Sequence, residues 1–375
     1  MYRLFVLFFV MWCGVIYGCD VNAMEVEDVL EKSDIQKVMD EILPSETGIT
    51  FSEIVHQLIE GKWDGLGEAI KRYGSDLLFS EIRSNKTWIF QLIGILLISA
   101  VFNNFSTAFT KSYVSETGFY LTYMLVFVLL ISSFTSAVDV AAAAMENMVR
   151  FMSVLVPLFC LATTLTGNIQ TGVWYQQAMV GGITLVEWLV SKGIIAFIHI
   201  YVLLSLVNQL SKEDLLSKFT SLLKLASEWM IKTVVAFVLG IQCIQSIILP
   251  AYDTMKNGWT ARLTSAIPGV GDAMSGVFKT VLGSAMLIKK GIGSAGIIVL
   301  TVVFVIPMLK LVTLIFMYMA AQAIVQPIAD LRMVNCIHSV SEGVTLLLKV
   351  EGCVFLLFVL SLAMMTVASA TAFGG

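Results

Sequence analysis

Long apolar runs broken by short polar stretches dominate the chain from Trp88 to its end. Runs at about 88–109, 119–140, 149–166, 173–190, 193–210, 233–250, 292–309, 311–327 and 349–370 approach or exceed the ~18 residues that mark a bilayer span. Some are closely joined. Residues 173–190 and 193–210 are separated only by Ser191-Lys192-Gly193, which implies a very tight hairpin. Residues 291–327 would make ~55 Å of helix at ~1.5 Å per residue, too long for one simple crossing. Pro307 with Lys310 marks the expected break there. The pattern predicts an all-α polytopic membrane protein with seven to nine transmembrane helices.

Ahead of these runs the pattern changes twice. Arg3 precedes a run of apolar residues from Leu4 to Tyr17, short for a spanning helix and matching a secretory signal over residues 1–23. Val21-Asn22-Ala23 resembles a cleavage site, and Ile16-Tyr17-Gly18-Cys19 offers a lipobox-like alternative with lipidation at Cys19. Either reading delivers residues 24–87 across the membrane. That segment is amphipathic. Leu30, Ile35, Val38, Met39 and Ile42 form one apolar face, ending at Leu43-Pro44. Thr50 and Glu53 fit a capping box before Ile54, Val55, Leu58 and Ile59. A small helical extracytoplasmic domain is expected, packed on itself or docking a partner or the membrane surface.

Composition sharpens the division at residue 87. The chain of 375 residues is 58% hydrophobic and 13% charged, well outside the soluble globular range, and its mean hydropathy is +0.87. Residues 24–87 hold 14 of the 27 acids against seven Lys and Arg. A net charge of −4 without a basic stripe gives no footprint for nucleic acid. With the N-terminal segment outside, five crossings put residues 211–232, with Lys212, Lys218, Lys224 and Lys232, on the cytoplasmic side, as the lysine bias requires. The next loop disagrees. Residues 251–290 would lie outside yet carry Lys256, Arg262, Lys279, Lys289 and Lys290.

Two connecting segments stand apart. Residues 211–232 place Leu215, Leu216, Phe219, Leu222, Leu223, Ala226, Trp229 and Met230 at helical spacing, fitting an interfacial helix on the bilayer or one capping the bundle. Residues 266–296 are rich in Gly and Pro, with Pro268, Gly269, Gly271, Gly283, Gly291 and Gly293 as candidates for close helix packing or for a pore lining.

Ionisable groups inside apolar runs are candidate functional residues, because a charge in hydrocarbon costs at least ~2.5 kcal/mol. They are Glu187, His199, Lys310, Lys349 and Glu351. A relay using Glu187 and His199 would suit a secondary transporter, whereas lysines can snorkel and carboxylates near helix ends can reach water. Six cysteines and three histidines show no metal-ligand spacing. Phosphate-loop, nucleophile-elbow and HExxH motifs are absent, so neither an enzyme nor a bound cofactor is expected.

Five stretches carry a family resemblance. They are Leu43-Pro-Ser-Glu-Thr-Gly-Ile-Thr-Phe-Ser-Glu-Ile-Val55, Phe151-Met-Ser-Val-Leu-Val-Pro157, the run Ile267-Pro-Gly-Val-Gly-Asp272 continuing to Lys289-Lys290-Gly291-Ile292-Gly293, and the proline motifs Ile306-Pro-Met-Leu-Lys310 and Gln326-Pro-Ile-Ala-Asp330. In this order the chain resembles the stage III sporulation protein AE family of endospore-forming Firmicutes, over essentially its whole length. The resemblance implies a multi-pass protein of the mother-cell membrane around the forespore, within a channel or secretion-like complex. It also implies partnership with the other stage III sporulation A membrane proteins, their ATPase subunit and the forespore protein Q. It brings no catalytic residues. A self-sufficient permease for a small solute and a pure scaffold for the N-terminal segment are the competing expectations.

Overall fold

The computed structural model describes residues 34–42, 112–165, 169–210, 216–264, 271–327 and 329–368, with isolated positions between 51 and 98, and backbone alone across 112–116, 244–264 and 271–286. The expected signal segment, most of residues 24–87, nearly all of the 88–109 span, Pro268 and Gly269 lie outside the described residues. The described residues are helical, with no strand among them.

The elements are α1 (Asp34–Ile42), α2 (Ser112–Leu165), α3 (Ile169–Leu185), a π-helical segment (Val186–Ile194), α4 (Ile195–Leu210), α5 (Ser217–Thr264), α6 (Gly271–Val325) and α7 (Leu331–Ala368). α1 buries Ile35 and Met39, part of the face read from the sequence, and packs against α2. The Phe51 amide donates to Gln36 Oε1 at 2.8 Å, tying the next segment to α1.

The rest is a bundle of five rods. α3, the π segment and α4 run without interruption as one rod, so the tight hairpin expected at Ser191-Lys192-Gly193 is replaced by continuous helix. The Ile195 amide donates to the Val190 carbonyl five residues back, so the widened turns of this nine-residue segment absorb the irregularity that the sequence reads as a break. α6 likewise continues through Pro307. A proline removes one backbone donor and strains the preceding turn, but a helix held between neighbours tolerates it. Here Phe304, one turn earlier, stacks on Phe355 of α7 with ring centroids 4.1 Å apart.

The expected seven to nine spans are not confirmed among the described residues, where the same continuity joins several of them into longer helices. Four helical stretches among the described residues are long and apolar enough to cross a membrane: Thr117–Thr164, Gly172–Leu210, Leu287–Val325 and Leu331–Thr366. Three of them each hold two of the expected spans. α5 fuses the expected amphipathic segment 211–232 with the expected span 233–250 from Ser217 onward. Its apolar stripe proves to be two faces. Thr220, Leu223, Ser227, Ile231 and Val234 point into the bundle, while Phe219, Leu222, Leu225 and Trp229 point out. That helix is a wall of the bundle.

Cross-rod contacts fix direction and register. Ser133 bonds Tyr318 and Gly296 meets Leu155, so α2 and α6 are antiparallel. Phe304 against Phe355 and Gly293 against Thr366 make α6 and α7 antiparallel. Tyr201 with Glu342 and Ser205 with Ser339 do the same for α4 and α7. Lys224 with Glu342 and Lys349 with Glu228 run α5 parallel to α7. The rods therefore alternate up and down in chain order. Ser217 and Thr264 stand at opposite ends of the bundle, so the two lysine-rich segments flank it and the lysine bias assigns no side.

Candidate functional site

The register brings scattered charges to one height. Lys349 Nζ lies 3.4 Å from Glu228 Oε1, which levels α5 with α7. Lys310 is six residues past Phe304 and so falls opposite Lys349, six residues before Phe355. Asp139 follows Phe134, which touches Gly343, and reaches the same level on α2. Lys192, nine residues before Tyr201, falls opposite Glu351. Lys232 stands one turn beyond Glu228. Seven charged residues from all five rods thus lie within about two helical turns, ~10 Å, of one another along the axis. Together they form a charged waist.

The helical irregularities sit at that height too. The π segment spans the waist on one rod and Pro307 interrupts the α6 hydrogen-bond ladder opposite Gly352 of α7. A small apolar cavity lies between the rods here, walled by Val190 and Ile194 of the π segment, Ile231 and Val234 of α5, and Val350 and Val354 of α7. Single π turns and prolines mark places where a helix departs from regular bonding, and such places recur at functional sites.

Glu351 is the exception among the waist charges. It is 0% exposed and neither carboxyl oxygen has a hydrogen-bond partner. A buried polar group without a partner loses its hydration for nothing in return. Lys349 and Glu228 pair beside it, but on the half-exposed seam between α5 and α7.

Of the other residues expected to function, Glu187 is exposed on the π segment and Lys310 is half-buried at the waist. His199 lies elsewhere, its ring 5.6 Å from that of Phe134. One continuous rod holds Glu187 and His199 twelve residues apart, ~18 Å along the axis, so the expected relay pair does not meet. Gly291 and Gly293 are buried, and a Cβ on Gly293 would lie 2.7 Å from Thr366 Oγ1 and 2.9 Å from Phe159 Cε2. These glycines therefore serve close packing of α6 on α2 and α7, as small residues do between lipid-embedded helices. Gly271 and Gly283 lie within α6.

A second polar group, which the sequence reading missed, binds the upper half of the bundle. Glu342 accepts from Tyr201 Oη at 2.7 Å and from Lys224 Nζ at 2.7 Å, with His338 Nε2 at 3.7 Å. One carboxylate therefore joins α4, α5 and α7. One turn away Ser205 and Ser339 bond at 2.7 Å, and beyond them Tyr123 donates to the Leu206 carbonyl and receives the Cys336 thiol. Near the end of the bundle the Arg332 guanidinium covers the Phe119 ring at 3.6 Å and pairs with Asp330. No group of three or more metal-ligating side chains occurs among the described residues.

Residues 49–369 match the family model described as stage III sporulation protein AE. The chain belongs to that family. The stage III sporulation protein AE of Bacillus subtilis (strain 168) is 23% identical over 296 residues, covering 78% of this chain and 73% of that one. No solved structure matches. For the stage III sporulation protein AE family, the matched region takes in all five rods, the waist and the Glu342 group. This is a sporulation protein with membrane-type helices.

Proposed function

We propose that this chain is a non-enzymatic, multi-pass membrane subunit of the channel or secretion-like complex joining mother cell and forespore. It works there with the other stage III sporulation A proteins, their ATPase subunit and the forespore protein Q, in the mother-cell membrane around the forespore. After removal of residues 1–23, residues 24–87 stand outside the cytoplasm. Family membership supports the sporulation role. The observation that carries the membrane role is the zone between the waist and Lys289-Lys290.

Toward Lys289-Lys290 each rod carries a run without Asp, Glu, Lys or Arg, residues 151–165, 169–186, 233–252, 291–309 and 352–368, while the exposed Glu146, Arg150 and Glu187 lie on the waist side of the runs on their own rods. Runs of this length span ~22–30 Å, close to the hydrocarbon thickness of a bilayer. The register places them side by side. Each rod crosses once here and continues past the waist for roughly 17–40 Å more, where Lys218, Lys224, His338 and Glu342 interrupt the apolar surface. The waist then lies at the membrane surface, where charged side chains reach water and lipid headgroups.

Deleting the gene is expected to block late forespore gene expression after engulfment while leaving vegetative growth normal, as followed by a forespore reporter and counts of heat-resistant spores. A deletion strain that sporulates normally contradicts the proposal.

A further inference from the structure

At the far side of the uncharged zone, Lys289 is buried, only 4% exposed, beside the exposed Lys290. Its ammonium lies 5.5 Å from the centre of the Phe159 ring. Cys160 and Lys290 are its electrostatic neighbours, with no carboxylate among them, although buried charges are ordinarily paired. A ring face offsets part of the lost hydration of the ammonium. Close packing of Gly293 on Phe159 and Thr366 locks α2, α6 and α7 together one turn from Lys289. Leu287, on the same rod, is 56% exposed and supplies an outward apolar surface beside the two lysines.

We infer that Lys289 and Lys290 bind the phosphate of an anionic phospholipid, with Lys289 as the buried cation and Lys290 as the outer one. This rests on the placement of the bilayer given above, which sets both lysines at headgroup height, about 30 Å from Lys310 along α6. Basic pockets between helices at that depth recognise anionic headgroups, and the acyl chains follow the apolar outer face. A free phosphate would satisfy the same lysines but makes no use of Leu287.

The test is lipid retention by the full chain, purified and exchanged into nanodiscs of phosphatidylglycerol or phosphatidylcholine, with bound lipid read by native mass spectrometry. Wild type is expected to retain phosphatidylglycerol at least about tenfold better than phosphatidylcholine, on the scale of about one kcal/mol per basic residue near a lipid surface. Lys289→Gln loses that preference and Lys289→Arg keeps it. Lys290→Gln, on an exposed site that does not burden folding, weakens it severalfold. Inorganic phosphate and glycerol phosphate leave the lipid in place. Equal retention of the two lipids, unchanged retention in Lys290→Gln, or displacement by inorganic phosphate would each overturn the assignment. Preferential retention without headgroup-depth placement of Lys290 in spin-label measurements would instead fault the bilayer placement alone.

Discussion

Glu351→Met is expected to raise the thermal stability of the purified chain while reducing heat-resistant spores to the level of a deletion strain. The stability gain follows from the burial of both carboxyl oxygens without a partner. Removing such a group relieves about 1–3 kcal/mol, and methionine fills the space without a polar atom. Glu351→Gln retains an unsatisfied polar head and gains little. The loss of spores follows if the waist is the working layer of the bundle, because Glu351 is the buried member of the waist and its carboxyl has no partner. Thermal unfolding in detergent measures the first effect, and spore counts the second. A Glu351→Met chain that unfolds earlier than wild type would show that the carboxyl is held by a partner and that its burial is structural.

The other large effect concerns a glycine. A Cβ on Gly343 would fall well inside van der Waals contact of Val202 Cγ2 and 3.0 Å from Phe134 Cε2. Valine is branched at Cβ and stiff at χ1, so it yields less readily than the end of a long side chain. Gly343→Ala is therefore expected to destabilise the bundle by about 1–3 kcal/mol, and Gly343→Leu to prevent its assembly. Gly296→Ala meets the tip of Leu155, which can rotate, and should lose less. Gly352→Ala meets nothing within 4 Å and should stabilise α7 by about 0.5–1 kcal/mol through helix propensity. The order of the three unfolding temperatures checks the packing; equal temperatures for Gly343→Ala and Gly352→Ala would show that α4 and α7 do not touch there.

Hydropathy alone made the helical class and the membrane-type segments legible, because a long apolar run in water has few other fates. The number of helices was not legible. Lys192, Lys232, Lys310 and Lys349 each ended an apolar run and so looked like span boundaries, yet they are side-by-side members of one charged layer across uninterrupted rods. A one-dimensional pattern reads a turn and a polar cross-section of a helix alike. Pro307 misled for the same reason: its penalty is real, but neighbouring rods absorb it. Glu351 was legible as an acid within an apolar run, whereas its lack of a partner needed the packed structure. Glu342 was not legible, since its partners Tyr201 and Lys224 are 141 and 118 residues away. Among the glycines, the repeats at 291 and 293 announced close packing. Gly343, a single glycine in α7, gave no such signal until Val202 and Phe134 were set against it.

Spin labels on single cysteines in the full chain, reconstituted into liposomes, separate one crossing per rod from two most directly. Leu360 and Val180 face outward between the waist and Lys289, whereas Met124 and Met319 face outward on the other side of the waist. Labels at Leu360 and Val180 should show high oxygen and low polar-reagent accessibility, with Met124 and Met319 showing the polar reagent clearly. Equal lipid depth at all four positions would mean that the rods fold at the waist and that both halves lie in the bilayer.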